Sequence, residues 1–247
     1  MPVKNLDDKP IALVIGASSA IATAMLCELS EQYYLIAVSR SLSESAAQLC
    51  QDVITTDYSE SSITDAIEHL KSLERPFAHI FICNGLLHDA GFMPEKSVKQ
   101  ISLGYSEQLF RVNTIIPLLW LKGLTDLLLK YNKSYPCVVS VLSARVGSIN
   151  DNKLGGWYSY RASKAALNMM LKCLAIEWAR RLKVIKLFVF HPGTTDTPLS
   201  KPFQANVPEG KLFNADFVAR RWLQLADSLE PDGELSFYDW DHQPIDW

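Results

Sequence analysis

Seven short apolar runs decide most of what this chain can fold into. They cover residues 11–15, 34–38, 53–56, 80–83, 137–142, 183–190 and 235–238. Between them lie segments with helical spacing of apolar residues, at 20–31, 46–51, 63–70, 105–131 and 157–182. A strand with one wet face alternates apolar and polar residues. These runs are continuous, so they read as strands buried on both faces. Strands of that kind, alternating with helices, predict a parallel sheet with helices on both sides. The expected fold is therefore α/β, a single-domain Rossmann-type doubly wound sheet of about seven strands. It spans residues 10–247 after a polar tail at 1–9. The Pro-rich stretch 192–208 is long for a plain connection, and a lid around 194–212 is expected.

Composition excludes several function classes. With 24 Lys+Arg against 27 Asp+Glu the net charge is −3, so there is no basic excess for nucleic acid. Cys27, Cys50, Cys83, Cys137 and Cys173 are scattered and form no C-x-x-C pair, so no disulfide framework or zinc knuckle is expected. Such thiols fit a reducing compartment, and a cytoplasmic location is expected. The first ten residues carry acids where a signal peptide needs an apolar stretch. The apolar run at 115–121 falls far short of the ~20 residues that span a bilayer. Glycine is scarce: 11 are present, where average usage of ~7% would give roughly 17.

That scarcity bears on the first turn. The run 11–15 leads through Gly16-Ala17-Ser18-Ser19-Ala20-Ile21-Ala22 into a helix. A small-residue turn there lets a phosphate approach the N–H groups at the helix N-terminus. A tight turn with no ligand explains the same residues. So does a nucleophile elbow on Ser18 with His191 or His242 as base, although only 15 residues precede Gly16 and an elbow needs strands before it. After the second run stand Ser39 and Arg40, and no acid. An acid at this point holds ribose hydroxyls, whereas an Arg accommodates a 2′-phosphate, so NADP(H) is favoured over NAD(H). The plainer alternative for Arg40 is a solvated surface cation. Asp57 follows the third run, either to meet an adenine amino group or to cap the next helix. Asn84-Gly85 follows the fourth.

The candidate chemistry centres on Tyr160-Arg161-Ala162-Ser163-Lys164. Residues i and i+4 share a helix face. At ~4 Å and an effective dielectric of ~20, an ammonium attracts a phenolate by about 4 kcal/mol. That would lower the phenol pKa by up to about 3 and make Tyr160 a general acid–base; by spacing alone, a surface cation packed on an aromatic ring explains the same pair. Ser143 ends the fifth run, where its hydroxyl can polarise a carbonyl. Asn113 lies four residues before Pro117, which frees a helix carbonyl and leaves room for a proton-relay water. A local bond back to the helix is the alternative for Asn113. Arg145 reads either as a contact for an acidic substrate or as a loop cation.

Taken together, these pieces resemble the short-chain dehydrogenase/reductase family. They are Gly16 to Ala22, Cys83-Asn84-Gly85-Leu86, Asn113, Ser143, Tyr160-x-x-x-Lys164, and Pro192-Gly193 followed by Thr197. Residues 155–168 and the terminal Ile245-Asp246-Trp247 are similar to its C-factor-like branch, which contains carbonyl reductases and proteins linked to cell–cell signalling. The resemblance implies an oxidoreductase moving a hydride between NADP(H) and a carbonyl or secondary alcohol. It implies Tyr160 as acid–base, Lys164 on the nicotinamide ribose, Ser143 on the substrate carbonyl and Asn113 on a relay water. It implies a cofactor site from Gly16, Ser18, Ser19, Ala20, Ile21, Ser39, Arg40, Asp57, Tyr58, Asn84, Gly85, Pro192, Gly193, Thr195 and Thr197, together with Tyr160 and Lys164. It also implies a homodimer or homotetramer through the 157–182 helix. Ala20 and Ala22 replace two glycines, and their Cβ atoms are expected to crowd the pyrophosphate. A cofactor-binding signalling or scaffold protein with little catalysis is the alternative they suggest. Ser143 and Tyr160 lie 17 residues apart, longer than the family norm, with the extra residues expected in 148–154.

Overall fold

A computed structural model of the chain describes residues 9–247, so nearly all of the expected polar tail lies outside it. Six strands come first: β1 (Ile11–Ile15), β2 (Tyr34–Ser39), β3 (Asp52–Thr55), β4 (Phe77–Ile82), β5 (Cys137–Leu142) and β6 (Ile185–His191). Two short strands, β7 (Thr194–Thr195) and β8 (Leu212–Phe213), pair only with each other, and β9 (Leu235–Asp239) closes the series. The main sheet has the order β3-β2-β1-β4-β5-β6-β9, with every pairing parallel. This is the seven-stranded, doubly wound sheet that the apolar runs predict.

Helices cover both faces. On one lie α3 (Glu60–Ser72), α5 (Ile116–Tyr131) and α6 (Tyr158–Arg181), which share a core with Leu13, Ile80, Val139 and Leu187. On the other lie α1 (Ala20–Leu29), the short α2 (Glu44–Ala47) and α7 (Ala215–Ser228). Of these, α7 falls outside the sequence expectation. Its buried residues Val218, Ala219, Trp222, Leu223 and Ala226 form one stripe along the helix. Trp222 stacks on Phe190 at 5.1 Å and donates its indole N–H to Ser140 Oγ at 2.6 Å. That bond gives a large ring a polar partner inside the core.

Two boundaries move for a physical reason. β4 starts at Phe77, earlier than expected, because the polar His79 sits inside it. The His79 ring is buried, stacks on Phe81 and meets Tyr33 Oη at 3.1 Å. The long helical pattern from residue 105 divides into α4 (Leu103–Phe110), a π-helical turn (Arg111–Ile115) and α5. The continuous helix Leu103–Tyr131 is long and apolar enough, by length and composition, to cross a membrane. Here its Ile116, Trp120, Leu121, Leu124 and Leu128 pack into the core beneath the sheet.

Because all seven strands run the same way, their C-terminal ends share one edge. That edge carries Gly16, Ser39, Asn84, Ser143, His191 and Asp239.

Candidate active site

A cleft of about 430 Å³ opens at this edge. Ser143, Tyr160 and Lys164 line it, together with Ile21, Gly85, His191, Pro192, Gly193, Thr195 and Thr197. The sheet places Ser143 and the helix α6 places the other two. Ser143 donates its backbone N–H to Phe190 at 2.8 Å, which continues the β5–β6 ladder one residue past β5. Its Oγ donates to Asn168 Oδ1 at 2.9 Å. Lys164 lies two turns into α6 and donates to the Leu142 carbonyl at 2.9 Å.

The start of α6 is unusual. Gly155, Gly156 and Trp157 have φ of 65°, 65° and 52°, and Trp157 caps the helix with no side-chain bond. Glu95 supplies the missing partners. Its backbone carbonyl accepts from Trp157 N at 2.5 Å. Its carboxylate, 1% exposed, accepts from Ser159 N at 3.3 Å and pairs with Ser159 Oγ. A carboxylate at a helix N-terminus meets both unpaired N–H groups and the positive end of the dipole. Glu95 therefore fixes the turn from which Tyr160 projects.

Asn113 sits in the π-helical turn, fully buried. Its Oδ1 accepts from Leu86 N at 2.8 Å, and its Nδ2 donates to Leu86 O at 2.9 Å and Ser163 Oγ at 3.0 Å. All of its amide capacity toward the loop after β4 is thus used as a clamp. Pro117, just after this turn, has no N–H to donate to it.

The electrostatics differ from the expectation. Burial pushes the Tyr160 phenol up to about 12 and the Lys164 ammonium down to about 7. In the protein alone, desolvation outweighs the attraction between them. The expected depression of the phenol pKa does not arise from Lys164 by itself.

The first turn fits a dinucleotide. Gly16 adopts φ +81°, and a Cβ there would stand 2.9 Å from Asn84 N, so only glycine allows β1 and the end of β4 to approach so closely. Ser19 caps α1, its Oγ accepting from Ala22 N at 3.3 Å. Asn84 Oδ1 is buried without a partner at the crevice. The Ala22 methyl does not crowd this turn, because it is fully buried in the core on the α1 side of the sheet. Only Ala20, partly exposed, stands at the turn itself.

Other expected positions lie at the rim. Ser18 and Arg40 are exposed, and Ser39 Oγ donates to Ser41 O at 2.7 Å. Tyr58 is buried with φ 62°. Asp57 is not the cap of α3; Ser59 is. Asp57 instead accepts from Ser59 N at 2.8 Å and Ser62 Oγ at 2.7 Å, bonds that lower its carboxyl to about 2. Arg145 pairs with Asp239 at 2.8 Å and Asp151 at 3.3 Å, so its charge is already met. Ser18 and His191 stand at the ends of β1 and β6, with β4 and β5 between them. Three strand spacings amount to roughly 14 Å, too far for a nucleophile and its base.

The segment after β6 folds over the cleft. β7 pairs with β8, a 3₁₀ turn covers Lys201–Asn206, and Phe203 packs on Trp157 with centroids 4.8 Å apart. Asp151, Lys153 and Leu154, from the loop between Ser143 and Tyr160, also line the cleft. Sequence reasoning gives no role to Glu95 or Asn168, and weighs His191 only as the base of a nucleophile elbow. Glu95 and Asn168 find their partners in distant segments and His191 gains its place by strand register, so no local spacing marks them.

The family model described as short chain dehydrogenase matches residues 10–208. The chain is 26% identical over 246 residues to a benzil reductase ((S)-benzoin forming) of Bacillus cereus, covering 89% of this chain and 94% of that protein. It is 31% identical over 109 residues to the C-signal of Myxococcus xanthus, covering 44% of this chain and 60% of that protein. In structure it resembles the NADPH-bound carbonyl reductase from chicken fatty liver, with a TM-score of 0.80, 21% identity and coverage of 97% and 99%. That last likeness speaks to fold alone. A clefted parallel sheet with Ser143, Tyr160 and Lys164 at its carboxyl edge, matched over four-fifths of its length, places the chain in the short chain dehydrogenase family of oxidoreductases.

Proposed function

We propose that this protein is an NADP(H)-dependent oxidoreductase acting on a carbonyl or secondary alcohol. The observation that carries the reading is the convergence of Ser143, Tyr160 and Lys164 on one cleft with Ile21 and Gly193. When bound, the nicotinamide supplies or accepts the hydride. Tyr160 holds the proton: with its phenol pushed up to about 12 it is protonated at neutral pH, the form a general acid needs for carbonyl reduction. Ser143 orients the carbonyl, and Lys164 binds the ribose beside it. The relative named a benzil reductase supports a carbonyl substrate. The exposed Arg40 at the end of β2, with no acid there, supports NADP(H) over NAD(H).

The exposed face of α6 carries Met169, Met170 and Ile176. Leu103 and Ile115 are exposed on the neighbouring helix. This supports a homodimer or homotetramer through that face, and sedimentation showing only monomer would remove it. A cytoplasmic location belongs to the same reading. The test of activity is Tyr160→Phe, assayed with a panel of carbonyl compounds and both cofactors. Turnover is lost while NADPH binding, followed by its fluorescence, persists. Turnover that survives the substitution, or binding that favours NADH, overturns the corresponding part.

A further inference from the structure

His191 ends β6 and lies in register with two functional positions. β5 and β6 pair Leu142 with Phe190, so Ser143 stands beside His191. β6 and β9 pair His191 with Asp239. Neighbouring strands are ~4.8 Å apart and residues in register point to the same face, so the imidazole projects next to the Ser143 hydroxyl. Both line the cleft.

The ring is unused. Its Nδ1 is buried with no partner, and no hydrogen bond reaches either ring nitrogen among the described residues. Of the two ring nitrogens only Nδ1 is fully buried, so Nε2 is the accessible one, and the residue lines the cleft. The charged groups around it are already paired. Arg145 passes from the β5 end to Asp239 on β9, and also meets Asp151. Burial, with Arg145 nearby, pushes the imidazole down to about 4, so the ring is neutral at pH 7 and offers one donor and one acceptor. Nε2 is thus left free to meet a ligand oxygen.

We propose that His191 is a specificity-determining residue that holds a second, uncharged oxygen of the substrate beside the reacting carbonyl. The preferred substrates are then vicinal dicarbonyls and α-hydroxy carbonyls rather than simple ketones. Trp157 and Phe203, in edge contact across the same cleft, take an aryl group on the other side. The inference rests on the oxidoreductase reading above.

The test uses 1-phenyl-1,2-propanedione and propiophenone, which share ring and carbon chain and differ by one oxygen. Their kcat/KM ratio is measured for the wild type, His191→Leu and His191→Asn. The dione is intrinsically the more reactive, so the readout is the change in the ratio. The ratio falls about fivefold to tenfold in H191L, the worth of one neutral hydrogen bond, and H191N recovers part of it. A purely structural His191 lowers both substrates together; an unchanged ratio therefore overturns the proposal. Dissociation constants of the two compounds, from tryptophan quenching, give the same ratio without turnover. If neither compound is reduced with either cofactor, the oxidoreductase reading fails. The binding ratio then still decides for or against His191.

Discussion

Replacing Asn113 by alanine separates two roles that its position suggests. If the side chain only holds a relay water, its loss slows proton transfer and leaves the fold intact. The geometry says otherwise. Asn113 is fully buried and makes three hydrogen bonds, two to the backbone of Leu86 and one to Ser163 Oγ. At about 1 kcal/mol each, their loss costs about 3 kcal/mol. Leaving the Leu86 N–H and C=O without partners raises this toward about 5 kcal/mol. For a chain of this size, each kcal/mol moves Tm by ~2–4 °C, so N113A should melt roughly 6–20 °C lower. The loop after β4 carries Gly85 into the cleft and is tied to α6 through this residue. Cofactor affinity should therefore fall along with stability. Thermal unfolding followed by circular dichroism, beside an NADPH titration, measures both. A Tm within about 2 °C of the wild type, with turnover lost and NADPH affinity kept, would refute the clamp and restore the side-chain relay.

Two further outcomes follow from the same geometry. The Lys164 ammonium has a folded pKa of about 7 against an ordinary 10.5, so between these values the unfolded chain binds the extra proton. Stability should therefore rise with pH from about 7 upward, the cost of the buried charge being fully present below that range. Lys164→Met should be more stable than the wild type at pH 6, by a margin that shrinks as pH rises above about 7 and is gone only near 10.5, as read by Tm across the range. Glu95→Ala should lower Tm by the cost of a lost helix cap, about 1 kcal/mol or more, and reduce kcat more than it raises KM, because Tyr160 is displaced rather than removed. Glu95→Gln, which keeps an acceptor, should recover most of the kcat. Equal losses in both variants would show that the charge, not the placement, is what matters.

The strands were legible because a doubly covered parallel sheet leaves no polar face to interrupt the apolar runs. The reading slipped where a polar side chain is buried with its own partner. His79 inside β4 finds Tyr33. A residue-by-residue polarity scale shortens such a strand, since the compensating partner lies more than forty residues away. α7 escaped for the opposite reason: its apolar stripe is one-sided and only six of its 14 residues are buried, a weaker signal than a continuous run. In the site, Tyr160 and Lys164 were legible as neighbours on one helix face, and Ser143 as the end of a strand. Glu95, Asn168 and His191 were not, because each acquires its place only through strand register or a long-range bond.

The sequence also could not weigh the energetics of the Tyr160–Lys164 pair. Spacing makes an attraction of about 4 kcal/mol available only if the lysine is charged and the dielectric is moderate. Burial works against both groups at once. It raises the phenol directly, and by drawing Lys164 down to about 7 it weakens the lysine's hold on its charge. The stabilising cation is thus weakened by the same desolvation that it would have to offset. A protonated phenol is consequently the resting form, and it is the form that donates a proton to a developing alkoxide. Alcohol oxidation needs the phenolate, and for that a further positive charge has to enter the cleft; the oxidised nicotinamide ring carries one. If this balance is right, carbonyl reduction should hold its rate as pH falls from 8 to 6, whereas alcohol oxidation should drop. Parallel pH dependences in the two directions would mean that Lys164 remains fully charged and that burial does not govern the pair.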